Sequence, residues 1–195
     1  MKILIAVPTF ETIMPETFKS IYGLRSSRFN PFFDFVKGYD CAKARNAIAK
    51  QAINEGFDYV LMVDSDMVIP VDALERFMEY EQDICLGLCP RKNTKEGRCE
   101  IYKDTNKDYV DFYTYDTLPD DDLIEIKGGG FACAFIKTAV FKDMPYPWFK
   151  YVEYPNGTSL SEDLYFCSQA RAAGYHIYAD TRVRCGHAVR YFQYR

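Results

Sequence analysis

No apolar run in this sequence approaches the roughly 18 residues that a membrane span requires, so no transmembrane segment is expected. Basic charge is not in excess either. A net charge of −4 and a pI near 5.3 give no general field for nucleic acid, though a local basic pocket for one small anion remains open. There is no Cys-x-x-Cys pair among the seven cysteines at 41, 85, 89, 99, 133, 167 and 185. Cys85 and Cys89, with Cys99 beyond, could suggest zinc, but "DICLGLCP" reads as a buried strand where free thiols pack as small hydrophobes. Reduced thiols are therefore expected. Repeats, low-complexity tracts and linker composition are lacking as well. The opening "MKILIAVPTF" is too short in apolar residues for a secretory leader, and a cytoplasmic placement is expected.

What is present is a chain of 195 residues with 48% hydrophobic and 16% aromatic content, enough for one domain over 1–195 with a substantial core. Lys2 to Val7 read as a buried strand, "PETFKSIYGLRSS" as a helix with Pro15 at its first position, and "PFFDFVKG" as a second strand. "CAKARNAIAKQAINEG" is the clearest helix: Ala44, Ile48, Ala52 and Ile53 share a face and Gly56 is a stop signal. "DYVLMVDSD", the helix "VDALERFMEY" and the strand "DICLGLCP" continue the alternation, which predicts a mostly parallel α/β sheet covered by helices. After Pro90 the rhythm breaks. "RKNTKEGRCE" reads as a polar, mobile loop, "YVDFYTY" and "LIEIKG" as strands of a mixed or antiparallel part, and "PDDD" at 119–122 as a turn. A helix from Glu162 to Ala173 and a strand "HIYAD" precede "TRVRCGHAVRYFQYR".

Four features carry candidate chemistry. In "VLMVDSDMVIP", strand alternation would point Asp64 and Asp66 the same way, about 7 Å apart at the Cα atoms, a repulsive pair unless a cation joins them. Such hard oxygens suit Mg²⁺ or Mn²⁺. Pro8-Thr9 and Arg45-Asn46 belong near the same carboxyl ends of strands, where open sheets bind ligands. Gly128, Gly129 and Gly130 fit a backbone that turns sharply or lies close to a ligand, or a plain loop; no Gly-Lys-Ser/Thr follows, so this is not a P-loop. Ser161 can cap the next helix, with Glu162 and Asp163 either completing its first turn or supplying a general base. His176 fits a packed core position, whereas His187 could be a metal ligand.

In order along nearly the whole chain, "ILIAVPTF", "AKARNAIAKQA", "VLMVDSDMVIP", "KGGGFACAFIKTAVF", "SEDLYFCSQARAAGYHIYAD" and "CGH" resemble the motifs of GT-A glycosyltransferases of the family 2 type. The resemblance implies a Rossmann-like nucleotide-diphospho-sugar transferase fold, with residues 1–90 the nucleotide-binding half and 91–195 the acceptor and metal half. It implies that Pro8, Thr9 and Glu11 line the nucleotide pocket with Arg45 nearby, and that Asp64, Ser65 and Asp66 meet the donor. Asp66 and His187 would bind Mn²⁺ or Mg²⁺, with Asp64 contacting the ribose or a metal-bound water. Gly128 to Gly130 would shape the sugar and acceptor side, Glu162 would touch a sugar or acceptor hydroxyl, and Asp163 would be the base. Trp148 in "MPYPWFKYVEYP" could stack on a sugar or pack the core. Arg182, Arg184 and Arg190 could meet the diphosphate or lie in a solvated tail.

The implied activity is inverting, metal-dependent transfer of one sugar from a nucleotide diphospho-sugar to a glycan, lipid-linked or other hydroxyl acceptor. An Asp-rich "DDGS"-like turn is replaced by "FFDFVKGYD", and "VRYFQYR" stands where polymerising relatives carry Q-x-x-R-W, which argues against a processive synthase. The rivals are a sugar nucleotidyltransferase, whose glycine-rich basic signature "PTFETIMPETF" lacks, and a non-catalytic nucleotide-sugar or glycan-binding module.

Overall fold

In β1 (Ile3–Thr9), Leu4 and Ala6 enter one hydrophobic cluster and Ile3, Ile5 and Val7 another, so both faces of the strand are buried. That two-sided burial explains the unbroken apolar run and marks a central strand between helical layers. The computed structural model describes residues 1–24, 28–38, 40–92, 98–106, 109–119 and 122–188. After β1 come α1 (Pro15–Tyr22), β2 (Phe32–Lys37), α2 (Cys41–Asn54), β3 (Tyr59–Val63), β4 (Met67–Val68), α3 (Ala73–Glu79) and β5 (Ile84–Leu88). The second half contributes β6 (Arg98–Asn106), β7 (Tyr109–Thr114), a short 3₁₀ turn, β8 (Leu123–Ile126), β9 (Gly128–Gly129), β10 (Cys133–Lys137) and α4 (Thr138–Asp143). A small hairpin of β11 (Val152–Glu153) and β12 (Ser159–Leu160) leads to α5 (Glu162–Ala172), β13 (Ile177–Arg184) and β14 (Gly186–His187).

The main sheet has seven strands in the order β2-β1-β3-β10-β5-β13-β8. β2, β1, β3, β5 and β13 run parallel, while β10 and β8 run against their neighbours. This is the mixed, mostly parallel α/β sheet that the strand-helix rhythm predicts. β10 was not legible as a strand: it has only five residues, four of them apolar before Lys137, shortly after three glycines, and a run that short carries no periodicity. A second sheet, β7-β6-β9, is antiparallel; of the two strands expected beyond Pro90, "YVDFYTY" is its β7, whereas "LIEIKG" is β8 and joins the main sheet antiparallel to β13.

Helix ends follow the local signals. Pro15 opens α1, the Asp40 carboxylate accepts a hydrogen bond from Lys43 N at 2.7 Å to cap α2, and Gly56 takes the left-handed φ of +68° just beyond it. Among the described residues no helix is long and apolar enough to cross a membrane.

Several expectations need correction. β3 stops at Val63, so Asp64, Ser65 and Asp66 form a turn closed by Met67 N donating to Asp64 O at 3.0 Å, and strand alternation does not govern them. Gly128 and Gly129 are a strand and not a loop: a Cβ on Gly129 would lie 2.7 Å from Leu86 Cδ1 and 2.8 Å from Glu100 O. Arg98 to Glu100 begin β6 where a loop was read, with residues 93–97 outside the described residues. His176 is exposed and its ring nitrogen lies 2.9 Å from Glu125, because β13 begins only at Ile177. Asp120 and Asp121 of "PDDD", and the tail from 189 to 195 with Arg190, lie outside the described residues.

Candidate active site

The carboxyl ends of β1 and β3, the turn at 64–66 and the start of α5 surround a cleft of about 550 Å³. Hydrogen bonds hold its rim together. Met14 N donates to Ser65 O at 2.8 Å, Asp64 N to Ala132 O at 2.9 Å and Gly38 N to Thr9 O at 3.0 Å. Of the residues expected at a site, Pro8, Thr9, Arg45, Asp64, Ser65, Asp66, Gly130, Glu162, Asp163 and His187 all line this cleft.

Its centre is an ion-pair relay. Arg45, on α2, is fully buried; its Nη2 donates to Asp64 Oδ1 at 2.9 Å and its Nη1 to Glu162 Oε1, 117 residues further along the chain. Burial pushes the Asp64 and Glu162 carboxyls above their usual range, with Arg45 pulling the other way. Burial acts against the Arg45 charge, yet Asp64 and Glu162 outweigh it and hold the guanidinium above its usual value. Asn46, next along the same helix, fixes the loop before the β11-β12 hairpin: its Nδ2 donates to Phe149 O at 2.7 Å and its Oδ1 accepts from Trp148 N and Phe149 N.

Asp163 lies at the start of α5. Ser161 does not cap that helix; its hydroxyl donates to Asp163 Oδ1 instead, and Leu164 N donates to the same oxygen at 2.8 Å. Among the described residues none donates to Oδ2, which faces the glycine floor, 3.6 Å from where a Cβ on Gly130 would stand. A side chain there would also crowd Glu100 Cβ at 3.2 Å, so glycine keeps the space between the two acids clear.

His187 reaches the cleft through backbone pairing. β14 lies antiparallel to β4 with His187 opposite Met67, and Ala188 N donates to Asp66 O at 2.8 Å. Burial lowers the His187 pKa below its usual value, which favours the neutral imidazole, the form with one ring nitrogen able to act as a ligand. The Asp66 carboxylate is paired with the Lys92 ammonium. Among the described residues no three His, Cys, Asp or Glu side chains form a group that could hold a metal by themselves.

Four expected residues are elsewhere. Glu11 is exposed and outside the cleft lining, Gly128 and Gly129 are buried under α5 and Leu86, and Trp148 is in the core. The Trp148 indole N–H donates to Phe141 O at 2.8 Å and Met144 O at 3.1 Å, a buried polar tip satisfied by backbone that leaves no face for a sugar. Arg182 is taken up by Asp180, Glu79 and Asp122, and Arg184 by Thr181 O, so neither lines the cleft. Besides Arg45, the cations that line it are Arg91 and Lys92, which lie in the segment read as a mobile loop. Only their position just beyond the end of β5, three and four residues after Leu88, hinted at a site.

This architecture is the GT-A glycosyltransferase fold. Superposition relates the chain to A197 from STIV with a TM-score of 0.68 at 18% identity, covering 97% of this chain and 87% of that one. TarS 1–349 from S. aureus, solved with UDP-GlcNAc, gives a TM-score of 0.60 at 17% identity over 99% of this chain and 60% of its own. GalNAc-T7, solved with UDP, GalNAc and Mn²⁺, gives 0.66 at 8% identity over 97% of this chain and 43% of its own. At these identities the likeness establishes the fold. No protein-family profile and no curated protein matches the sequence.

Proposed function

We propose that the protein is an inverting, metal-dependent glycosyltransferase that moves one sugar from a nucleotide diphospho-sugar to an acceptor hydroxyl. The observation that carries this reading is the convergence of Asp64, Asp66, Asp163, Arg45 and His187 on one cleft of a GT-A fold. Residues 1–90 would hold the nucleotide, with Pro8 and Thr9 against the base, and residues 91–195 the acceptor. The acceptor class is a glycan, a lipid-linked hydroxyl or another alcohol.

Asp66 and His187 are the candidate metal ligands. A carboxylate oxygen and a neutral imidazole make a mixed oxygen-nitrogen set, which suits Mn²⁺ better than Mg²⁺, an ion that favours oxygen alone. Asp64 could add to these two through a bound water. Such an ion, when bound, neutralises charge on the departing diphosphate.

The chain's own residues divide the remaining work. Asp163 Oδ2 accepts the acceptor's hydroxyl proton as that oxygen bonds to the anomeric carbon and the bond from that carbon to the diphosphate oxygen breaks. Ser161 and Leu164 N, by holding Oδ1, orient the free oxygen toward the acceptor. Arg45 opposes the effect of burial on Asp64 and Glu162 and fixes both side chains, leaving their remaining oxygens as acceptors for ribose or sugar hydroxyls.

A screen of nucleotide diphospho-sugars by thermal shift, with and without Mn²⁺, tests donor binding, since ligands of the folded state raise its apparent stability. UDP-linked sugars are the first to try, given the ligands of TarS and GalNAc-T7. A Mn²⁺-dependent shift followed by slow donor hydrolysis separates an enzyme from a binding module. Asp163→Asn should then keep donor binding and lose at least about 10²-fold in turnover; wild-type transfer by that variant excludes it as the base. The anomeric configuration of the product, read by NMR, checks inversion.

A further inference from the structure

The two acids of the turn are neutralised in opposite ways. Asp64 is met by Arg45, a side chain only 3% exposed and locked by Glu162 on its other side. Asp66 is met by Lys92, whose side chain is 57% exposed. A buried, doubly held guanidinium cannot leave without stranding two carboxylates. An exposed ammonium pair contributes only about 0–1 kcal/mol, so it exchanges freely.

The backbone near Lys92 is nevertheless fixed. Pro90 bridges to Cys99, Arg91 N donates to Arg98 O at 2.9 Å, and the Arg91 guanidinium lies 3.4 Å from Glu100. Lys92 is thus a flexible four-carbon arm on a fixed base at the cleft wall. Of the Lys and Arg side chains lining the cleft, Arg45 and Arg91 are held by acids of the protein other than Asp66.

We propose that Lys92 is a further donor-binding residue that competes with the divalent ion for Asp66: its ammonium pairs with the carboxylate before the donor binds and transfers to the donor's diphosphate when the ion takes its place. This rests on the reading of Asp66 as a metal ligand. Two cations cannot share one carboxylate oxygen without repelling each other. The displaced ammonium stays tethered within reach of the negative charge that the same ion brings in, so Lys92 weakens binding of the bare ion and strengthens binding of ion and diphosphate together.

The test is the opposite sign of two affinities. Mn²⁺ alone is titrated into wild-type protein, Lys92→Ala, Lys92→Arg and Asp66→Ala, with free Mn²⁺ read by EPR. Inorganic pyrophosphate is then titrated by calorimetry in excess Mn²⁺, which avoids any dependence on the nucleotide base. Lys92→Ala should bind Mn²⁺ about two- to fivefold more tightly, within the range of an exposed pair, and Mn²⁺-pyrophosphate roughly three- to tenfold more weakly. Lys92→Arg should stay near wild type in both. If Mn²⁺ binding is lost in Asp66→Ala but unchanged in Lys92→Ala, or if both affinities move the same way, the Lys92 proposal falls while the metal reading stands. If no variant, wild type included, binds Mn²⁺, the metal reading falls and takes this proposal with it.

Discussion

Replacing Arg45 by Met tests the relay at the centre of the cleft. Met fills much of the arginine stem's volume, so packing around α2 is largely kept and the change isolates the charge. Glu162 is left 8% exposed and Asp64 30% exposed with no guanidinium between them. Breaking a buried pair from one side costs about 3–5 kcal/mol, because a charge is left uncompensated. For a chain of this size each kcal/mol corresponds to about 2–4 °C in Tm, so the expected fall is roughly 6–20 °C near pH 7. The pH dependence is more diagnostic. Burial already raises both carboxyls, and removing Arg45 removes the attraction that opposes it. A carboxyl with its folded pKa above its unfolded one binds more protons folded than unfolded, so stability falls as pH rises between the two values. The Arg45→Met deficit should therefore be largest near neutrality and shrink as pH drops through the raised carboxyl pKa values. Urea denaturation at about pH 5 and about pH 7 measures both ends. Adding Glu162→Gln should recover about 1–3 kcal/mol at the higher pH, since a neutral amide needs no counter-charge. A loss under about 1 kcal/mol, the size of a surface pair, or one that does not vary with pH, refutes the relay.

Asn46→Ala removes the partners of Phe149 O and of the Trp148 and Phe149 N–H groups, and should cost about 3 kcal/mol or more in urea denaturation. Gly129→Ala drives a Cβ to 2.7 Å from Leu86 and 2.8 Å from a backbone oxygen; the expected loss is about 1–3 kcal/mol in the same measurement. Cys41 is exposed at the cleft rim, but its thiol is turned partly inward and that partial burial raises its pKa. Its alkylation by iodoacetamide should run slower than that of free cysteine near neutral pH, speed up as pH rises, and be slowed further by Mn²⁺ with a bound nucleoside diphosphate, all readable by mass spectrometry.

Much of the fold was legible because burial on both faces leaves continuous apolar runs, as in β1, β3 and β5, and because Pro15, Asp40 and Gly56 punctuate the helices where backbone chemistry demands. The candidate site was legible in its acids and its histidine, since hard ligands at strand ends are rare without a purpose. Three things were hidden. The direction of Asp64 and Asp66 depended on where β3 stops, and a turn stabilised by its own backbone bond has no residue signature beyond Asp and Ser. Ser161 looks like a helix cap in any sequence, and only tertiary placement turns its hydroxyl to Asp163. Lys92 belongs to a polar stretch of alternating charge, where nothing local separates a solvated lysine from one reaching back 26 residues to Asp66.

The position of β10 has a consequence for how the molecule is made. β3 and β5 are separated by a gap of about 10 Å, two strand spacings, that only Cys133–Lys137 can fill. During synthesis, both strands wait with their inner edges bare until the ribosome has delivered that segment. Nascent chains halted before Cys133 should therefore engage chaperones or associate with one another through these edges, and those released past the end of β10 should not.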